Sequence, residues 1–174
     1  MKTSIASVAA IVLFVAGIGV GMAAKTNNMP SAYHDKSPQD AAGTLLDTAR
    51  ILADDDSWEL IAIGRVHYLG GDKANGQAIF DALLTGKHED SDVFRIARVY
   101  REAGEWAKAK RLFDDYAVRN PTDSTELAEI GAYYLMQGDR VAAEGLFDRA
   151  FAGKPGVWAA IAAAGGYLGV APQE

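Results

Sequence analysis

The sequence contains no cysteine. This absence excludes disulfide bonds, thiolate zinc sites, haem attachment through cysteine, thiol nucleophiles and a lipoprotein anchor, which requires an acylated cysteine. Basic residues are also in deficit, with 17 Lys and Arg against 23 Asp and Glu and a net charge of -6. Because phosphate binding draws its affinity from clustered Lys and Arg, we expect no nucleic-acid partner.

Recognisable catalytic motifs are missing as well. His34, His67 and His88 are too scattered for a zinc site of known spacing. A stretch resembling a phosphate-binding loop, 19–26, lacks the glycine before Lys25 and lies in an N-terminal apolar segment rather than between a strand and a helix. The acidic clusters at 54–56, 89–90 and 114–115 are interpreted as helix caps or solvated turns. We therefore predict that the protein is not an enzyme and uses no metal and no cofactor.

Residues 1–24 have the pattern of a secretory signal peptide. Lys2 gives a positive start, no charged residue occurs from Ile5 to Met22, and small residues such as Ala23 precede a cleavage site at Ala24 or one residue later. The alternative is an uncleaved anchor, because about 18 apolar residues can cross a hydrocarbon core as a helix. Both readings predict export, with the protein periplasmic, secreted or held by an N-terminal membrane helix.

The remainder of the chain favours helices throughout. Residues 25–37 are polar with a central proline and predict a flexible tether, and residues 171–174 form a tail. Between them, 38–170 is predicted to be one helical domain. Ser37 and Pro38 have the composition of a helix start, with Ser37 as the N-cap and Pro38 in the first turn. No stretch alternates with period two for long enough to predict a strand.

A repeat of 33 or 34 residues organises this domain. Glycine followed by an acid recurs at 71–72, 104–105 and 138–139, and the three units begin near Ser57, Asp90 and Ser124. Equivalent positions carry equivalent residues. Small residues fill position eight (Gly64, Ala97, Gly131) and position twenty (Gly76, Ala109, Ala143), rings fill position eleven (His67, Tyr100, Tyr134), phenylalanine fills position twenty-four (Phe80, Phe113, Phe147), and prolines close the second and third units (Pro121, Pro155).

This spacing predicts pairs of closely packed helices, because two helices approach closely only where their facing side chains are small. The glycine at position fifteen favours the left-handed turn that ends the first helix of each pair. The repeat register continues before the first unit and after the third unit. Residues 38–53 place Ala42, Leu46 and Ala49 at positions twenty, twenty-four and twenty-seven of a preceding half-repeat, and 158–168 gives a last apolar helix, with Ile161 and Ala164 in phase, that we interpret as a C-terminal cap.

Residues 57–157 resemble the tetratricopeptide-repeat family. Small residues at eight and twenty, aromatic residues at eleven and twenty-four and a terminal proline match the family pattern nearly throughout the third unit, whereas the first unit departs from it at Gly76 and His88. The resemblance implies an all-α fold, a right-handed α-solenoid of about three helix-turn-helix units with flanking half-repeat helices.

The resemblance also implies a concave groove lined by the first helix of each unit. The residues predicted to bind a partner there are Trp58, Arg65, Tyr68, Phe94, Arg95, Arg98, Arg101 and Leu135, which we name the groove residues. The carboxylate clamp of some family members is not expected, because position five holds Ile61, Phe94 and Ala128. Four arginines beside aromatic residues predict an acidic protein or peptide partner with apolar anchors, and hence an envelope scaffold or assembly factor.

Three alternatives to this binding function stay open. Arg95, Arg98 and Arg101 could instead lie on a solvated helix face and pair with Glu102 or neighbouring Asp residues. The protein could also be a structural self-assembler whose open ends stack through Trp106 and Trp158, or, as a third and weaker reading, an enzyme without a recognisable motif.

Overall fold

The structure, a computed structural model, describes residues 30–154 and 156–173, and throughout this part of the chain the regular secondary structure is helical. The predicted signal peptide, the first residues of the predicted tether and Pro155 lie outside it. The helices are α1 (Pro30–Tyr33), α2 (Pro38–Ala53), α3 (Ser57–Leu69), α4 (Lys73–Thr85), α5 (Asp90–Glu102), α6 (Trp106–Arg119), α7 (Ser124–Met136), α8 (Arg140–Ala150) and α9 (Val157–Tyr167).

The chain divides into two compact units, one ending at Ile63 and the other beginning at Gly64, so that the boundary lies inside α3. In the N-terminal unit α2 starts as predicted, because Ser37 Oγ accepts a hydrogen bond from the amide of Asp40 at 3.2 Å and Pro38 occupies the first turn. The predicted tether differs from the structure over its second half. There α1 forms a single helical turn that packs against α2 and buries Ala32.

In the C-terminal unit the predicted small positions lie where helices touch. Ala97, Ala109 and Ala143 are fully buried. A Cβ added at Gly131 would lie 2.5 Å from the ring of Phe147, and one added at Gly76 would lie 2.7 Å from the carbonyl oxygen of Gly64. The close helix pairing inferred from positions eight and twenty is therefore confirmed, and each hairpin is held together at its small residues.

The turns between paired helices follow the prediction too. Gly71, Gly104 and Gly138 have φ of 104°, 75° and 83°, a region that side chains with a Cβ rarely enter. The amide after the glycine closes each turn, as when Glu105 N donates to Tyr100 O at 2.8 Å and Asp139 N donates to Tyr134 O at 3.0 Å.

Position eleven of the first unit differs from the same position in the other two units. The ring of His67 fits the repeat pattern, but its side chain is 21% exposed and its Nδ1 lies 3.2 Å from Asp72 Oδ2, whereas Tyr100 and Tyr134 are buried. The neighbouring Tyr68 takes the core place, with its ring centroid 5.7 Å from that of Phe80 and 5.5 Å from that of Tyr100. An imidazole near the helix end reaches a carboxylate in the turn, whereas the tyrosine ring buries more apolar surface.

Among the helices that the structure describes, none is long and apolar enough to cross a bilayer.

Candidate functional site

The groove residues fall in different environments. Trp58 lies in the N-terminal unit, in the first turn of α3, and is 63% exposed. The other seven lie in the C-terminal unit, on α3, α5 and α7, which are the first helices of the three predicted repeats. The repeat register therefore places these residues on equivalent helices, but it does not make all of them accessible.

Tyr68 and Phe94 are buried, with 2% and 4% of their surface exposed, which corrects the expectation that both line an open surface. Phe94 packs between α5 and α6, with its ring centroid 5.4 Å from that of Phe113 and 4.9 Å from that of Tyr116. Burial of such a large apolar ring between two helices stabilises the fold more than solvent exposure would, so these two rings belong to the core.

Arg98 pairs with an acidic residue of the next repeat. Its Nε and Nη2 donate to the two carboxylate oxygens of Glu129 at 2.6 and 2.5 Å. Glu129 is 4% exposed and accepts a further hydrogen bond from the hydroxyl of Tyr133 at 2.6 Å. This fork-to-fork pair joins α5 to α7 and satisfies a carboxylate that would be costly to bury alone.

Two more arginines also face acids of the protein itself. Arg65 Nε donates to Glu102 Oε2 at 2.7 Å, which links α3 to α5. Arg95 Nη1 lies 3.6 Å from Asp92 Oδ1, one turn earlier on the same helix. Of the three arginines in the alternative pairing, Arg95 thus faces a nearby Asp, whereas Arg98 pairs with the buried Glu129 rather than with Glu102 or an Asp.

Arg101 differs from the other three. Within the described residues it forms no salt bridge and no side-chain hydrogen bond, and its Nε is buried without an acceptor. The guanidinium carbon stands 4.6 Å from the ring centroid of Tyr133. Because the Tyr133 hydroxyl is held by Glu129, this ring is a fixed platform beneath an arginine whose side-chain donors no other described residue uses.

Tyr133 is the residue of this site that the sequence analysis missed. It is fully buried, and burial followed by the charge of Glu129 raises the pKa of its hydroxyl above the usual range. It lies one helical turn after Glu129, and this spacing was the available signal. Towards the end of α7, Leu135 is half-buried and Met136 is 37% exposed.

A second polar cluster ties the first two repeats of the C-terminal unit together. Glu105 accepts from the hydroxyl of Tyr68 at 2.7 Å and lies 2.7 Å from the ammonium groups of both Lys73 and Lys108. These hydrogen bonds, led by that of Lys108, lower the pKa of Glu105 to about 2. Lys108 also stands 5.0 Å from the ring centroid of Tyr100. Every member has a partner, so the cluster contributes to folding rather than to recognition.

Glu126, in the first turn of α7, has a raised pKa, whereas the pKa of Glu105 is lowered. Burial, and then a hydrogen bond with Asp123, raise the pKa of Glu126 to about 7. Asp123 itself accepts from the hydroxyl of Tyr116 at 2.7 Å. In the residues that the structure describes, no group of three or more His, Asp and Glu side chains is arranged to hold a metal ion.

A comparison with protein-family models finds a tetratricopeptide-repeat model matching residues 93–123, which run from the first turn of α5 to the loop before α7. These residues form a tetratricopeptide repeat. No curated protein and no solved structure gives a significant match to the chain.

Tetratricopeptide repeats in general mediate contacts between proteins and form a family of interaction repeats rather than of enzymes. In this protein the matched repeat contributes Phe94, Arg95, Arg98 and Arg101. The repeat therefore contains the arginine that the rest of the described chain leaves without an acceptor.

Proposed function

We propose that this protein is an interaction scaffold of the cell envelope that holds a segment of another protein against α5 and α7, with Arg101 receiving a carboxylate of that segment. The observation that carries the proposal is the buried Nε of Arg101, which has no acceptor among the described residues. A buried donor left without a partner costs about 1–3 kcal/mol, and a carboxylate bound to the half-buried Arg101 neutralises a charge that the described acids leave unpaired.

The geometry suits a carboxylate better than other groups. A guanidinium presents parallel N–H donors that match two carboxylate oxygens, and the guanidinium carbon of Arg101 stands 4.6 Å from the ring centroid of Tyr133. Three of the four groove arginines face an acid of the described chain, namely Arg65, Arg95 and Arg98. The charge of Arg101 is therefore the one groove arginine charge that the described acids leave for a partner. The site therefore suits a single acidic side chain, or a chain terminus, more than a run of acids.

Apolar anchors of the partner have a place on the next repeat. At the end of α7, one repeat after Arg101, Leu135 is half-buried and Met136 is 37% exposed. A bound segment would bury these side chains, and burial of apolar area supplies most of the affinity in such contacts while the arginine fixes the register.

The test uses Arg101→Gln, because this change removes the charge and keeps much of the side-chain volume. The control is Arg111→Gln on α6, an exposed arginine with the same change in charge. An array of peptides that pair one Asp, Glu or terminal carboxylate with Leu or Phe anchors is probed with the wild type and both variants. We expect Arg101→Gln to lower binding at least about tenfold, equivalent to about 1.4 kcal/mol, and Arg111→Gln to leave it unchanged.

The salt dependence provides a second readout. With one ionic contact, binding should weaken only modestly as salt increases, since a single charge is screened. Circular dichroism should show equal helicity in all three proteins. Undiminished peptide binding by Arg101→Gln would rule out the site, and a failure of every peptide to bind the wild type would rule out this class of partner.

Placement in the envelope rests on the signal-like pattern of residues 1–24. Mass spectrometry of the protein recovered from the envelope fraction tests it. A mature N-terminus at Ala24 or Lys25 would support cleavage, an intact N-terminus in the membrane fraction would support an anchor, and recovery in the cytoplasm alone would contradict export.

A further inference from the structure

The last helix of the described chain is equivalent to the first helix of a repeat. Tyr167 donates to Glu144 Oε1 at 2.9 Å, and its ring centroid lies 5.8 Å from that of Phe147. Tyr100, at position eleven of the second unit, accepts from Gln77 at 2.7 Å and lies 5.8 Å from Phe80. Gln77 and Glu144 share position twenty-one, so Tyr167 is the position-eleven tyrosine of a fourth unit that begins at Val157.

In this register, one face of α9 is left uncovered by the rest of the described chain. Position eight is buried in every earlier unit, as Gly64, Ala97 and Gly131, whereas Ala164 at the same position is exposed. Position five is also buried in the earlier units, but Ile161 is 54% exposed. The face continues through three further exposed apolar residues, which are Val157, Ala160 and Leu168.

The earlier repeats show what covers such a face. In the third unit a Cβ added at Gly131 would lie 3.2 Å from the carbonyl oxygen of Ala143 and 2.5 Å from the ring of Phe147. In the second unit α6 covers α5 with Ala109 and Phe113, both fully buried. The covering element is thus a helix with a small residue at position twenty and a large apolar residue four positions later.

The N-terminal unit contains a helix with this pattern and with its own small residue uncovered. Ala42 of α2 stands at position twenty and is exposed, although its equivalents Ala109 and Ala143 are fully buried. Leu46, at position twenty-four, is half-buried where the equivalent phenylalanine is buried. The short α1 packs against α2 without covering Ala42.

The exposed face of α9 and the apolar stripe of α2 both lack charged residues. No charged residue occurs from Gly156 to Gln173, so the occupant of the α9 face must present an uncharged stripe. The stripe on α2 consists of Ala42, Leu45, Leu46 and Ala49, while Asp47 and Arg50 lie off it by helical spacing. A charged stripe would lose its hydration on the apolar face without gaining a partner.

We propose that α2 of a second copy of this chain covers α9, so that a first helix from one copy and a second helix from the other complete one repeat. Ala42 of the second copy meets Ala164, and Leu46 fills the space over Ile161 and Ala160. The contact continues the helix pairing that α6 and α8 already make on α5 and α7. It is a head-to-tail contact between two different surfaces, so it generates chains or rings of copies.

The absence of cysteine makes this contact testable in the full chain. Two single variants, Ala42→Cys and Ala164→Cys, are mixed and oxidised. We expect a disulfide-linked dimer that contains one copy of each variant, because Cβ atoms at a small-residue crossing lie close enough for a disulfide. Each variant alone should remain largely unlinked. A dimer of Ala164→Cys with itself as the main product would overturn the proposal in favour of symmetric α9 pairing.

Sedimentation gives an independent readout over a range of concentrations. The wild type should associate as concentration increases, Ala42→Arg and Ala164→Arg should each remove that association, and Val118→Arg should retain it, since Val118 is 76% exposed on α6. A wild type that stays monomeric throughout, or association that survives both alanine substitutions, would overturn the proposal. Circular dichroism confirms that all variants are folded.

Discussion

The first helices of successive repeats meet in two different ways. The junction between α5 and α7 is made by a charged pair, and the junction between α7 and α9 is made by small residues. At the first, position nine is Arg98, and it reaches across to the buried carboxylate of Glu129. At the second, position nine is Ala132, and the two backbones approach so closely that a Cβ added at Gly166 would lie 2.7 Å from the Cα of Ala132.

This difference shows that one helical repeat can be propagated in two ways. A long charged pair holds neighbouring first helices apart and fixes their register through directional hydrogen bonds. Small residues allow direct contact and fix the register through shape alone. The charged junction also leaves a place beside it where Arg101 stands over Tyr133, whereas the small-residue junction is apolar throughout.

The largest expected effect is on the charged junction. Arg98→Ala should lower the free energy of unfolding by about 3 kcal/mol, because it leaves Glu129 buried without its ionic partner. Arg101→Ala, three residues later, should lower it by at most about 1 kcal/mol, since this side chain forms no ion pair within the described chain and its Nε has no acceptor there. Urea unfolding of both variants measures the difference. Equal losses would show that the two arginines do not differ as the structure describes.

A smaller effect is expected at the apolar junction. Gly166→Ala should cost about 1–3 kcal/mol, because the new methyl group meets the backbone of Ala132 and forces α9 away from α7. The matched change Gly145→Ala in α8 has nothing within 4 Å of the added Cβ and should instead stabilise the protein by about 0.5–1 kcal/mol through helix propensity. Thermal unfolding of the two variants compares them, and a stabilised Gly166→Ala protein would contradict close packing at this junction.

The smallest expected effect concerns pH and the acids of α7. The pKa of Glu126 is raised from 4.5 to about 7, so the folded state binds more protons than the unfolded state between these values, and stability falls as pH rises through this window. Glu126→Gln should therefore melt above the wild type at pH 8, and this advantage should disappear below about pH 4.

Glu105 serves as a control, because its contribution to stability changes with pH in the opposite direction. Its pKa is lowered to about 2, so its contribution is present above about pH 4.5 and is lost as pH falls towards 2. Glu105→Gln should therefore melt below the wild type at pH 8. If both variants shifted the melting temperature in the same direction at pH 8, the assignment of the two carboxyl groups would be wrong.

Much of the repeat framework could be predicted from sequence. The positions of Ala97, Ala109 and Ala143, the turn glycines and the start of α2 at Pro38 all follow from local rules of helix geometry and capping. These features were accessible because each depends on residues within one or two helical turns. The groove residues were predicted less well, since burial of Tyr68 and Phe94 depends on neighbouring helices.

The pairing of the arginines could not be read from the chain. Arg65, Arg98 and their acids are separated by 37 and 31 residues, and whether a long side chain reaches across depends on how far apart two helices lie and how they are rotated. A flexible arginine can pair along its own helix, across a junction or with a partner, and sequence spacing is compatible with all three. Among the described residues, Arg101 differs from the other three arginines in that no acid pairs with it.

The sequence by itself determined that the chain folds into helical hairpins, because the period of its small and apolar residues matches the helix and the turn glycines need a left-handed backbone. Tertiary structure alone decided which equivalent residues are covered. Ala97 and Ala164 share a position, yet one is fully buried and the other exposed. The physical reason is that a side chain is buried only when a second surface covers it. The residue pattern of one helix specifies that helix's own surface but not the surface that covers it.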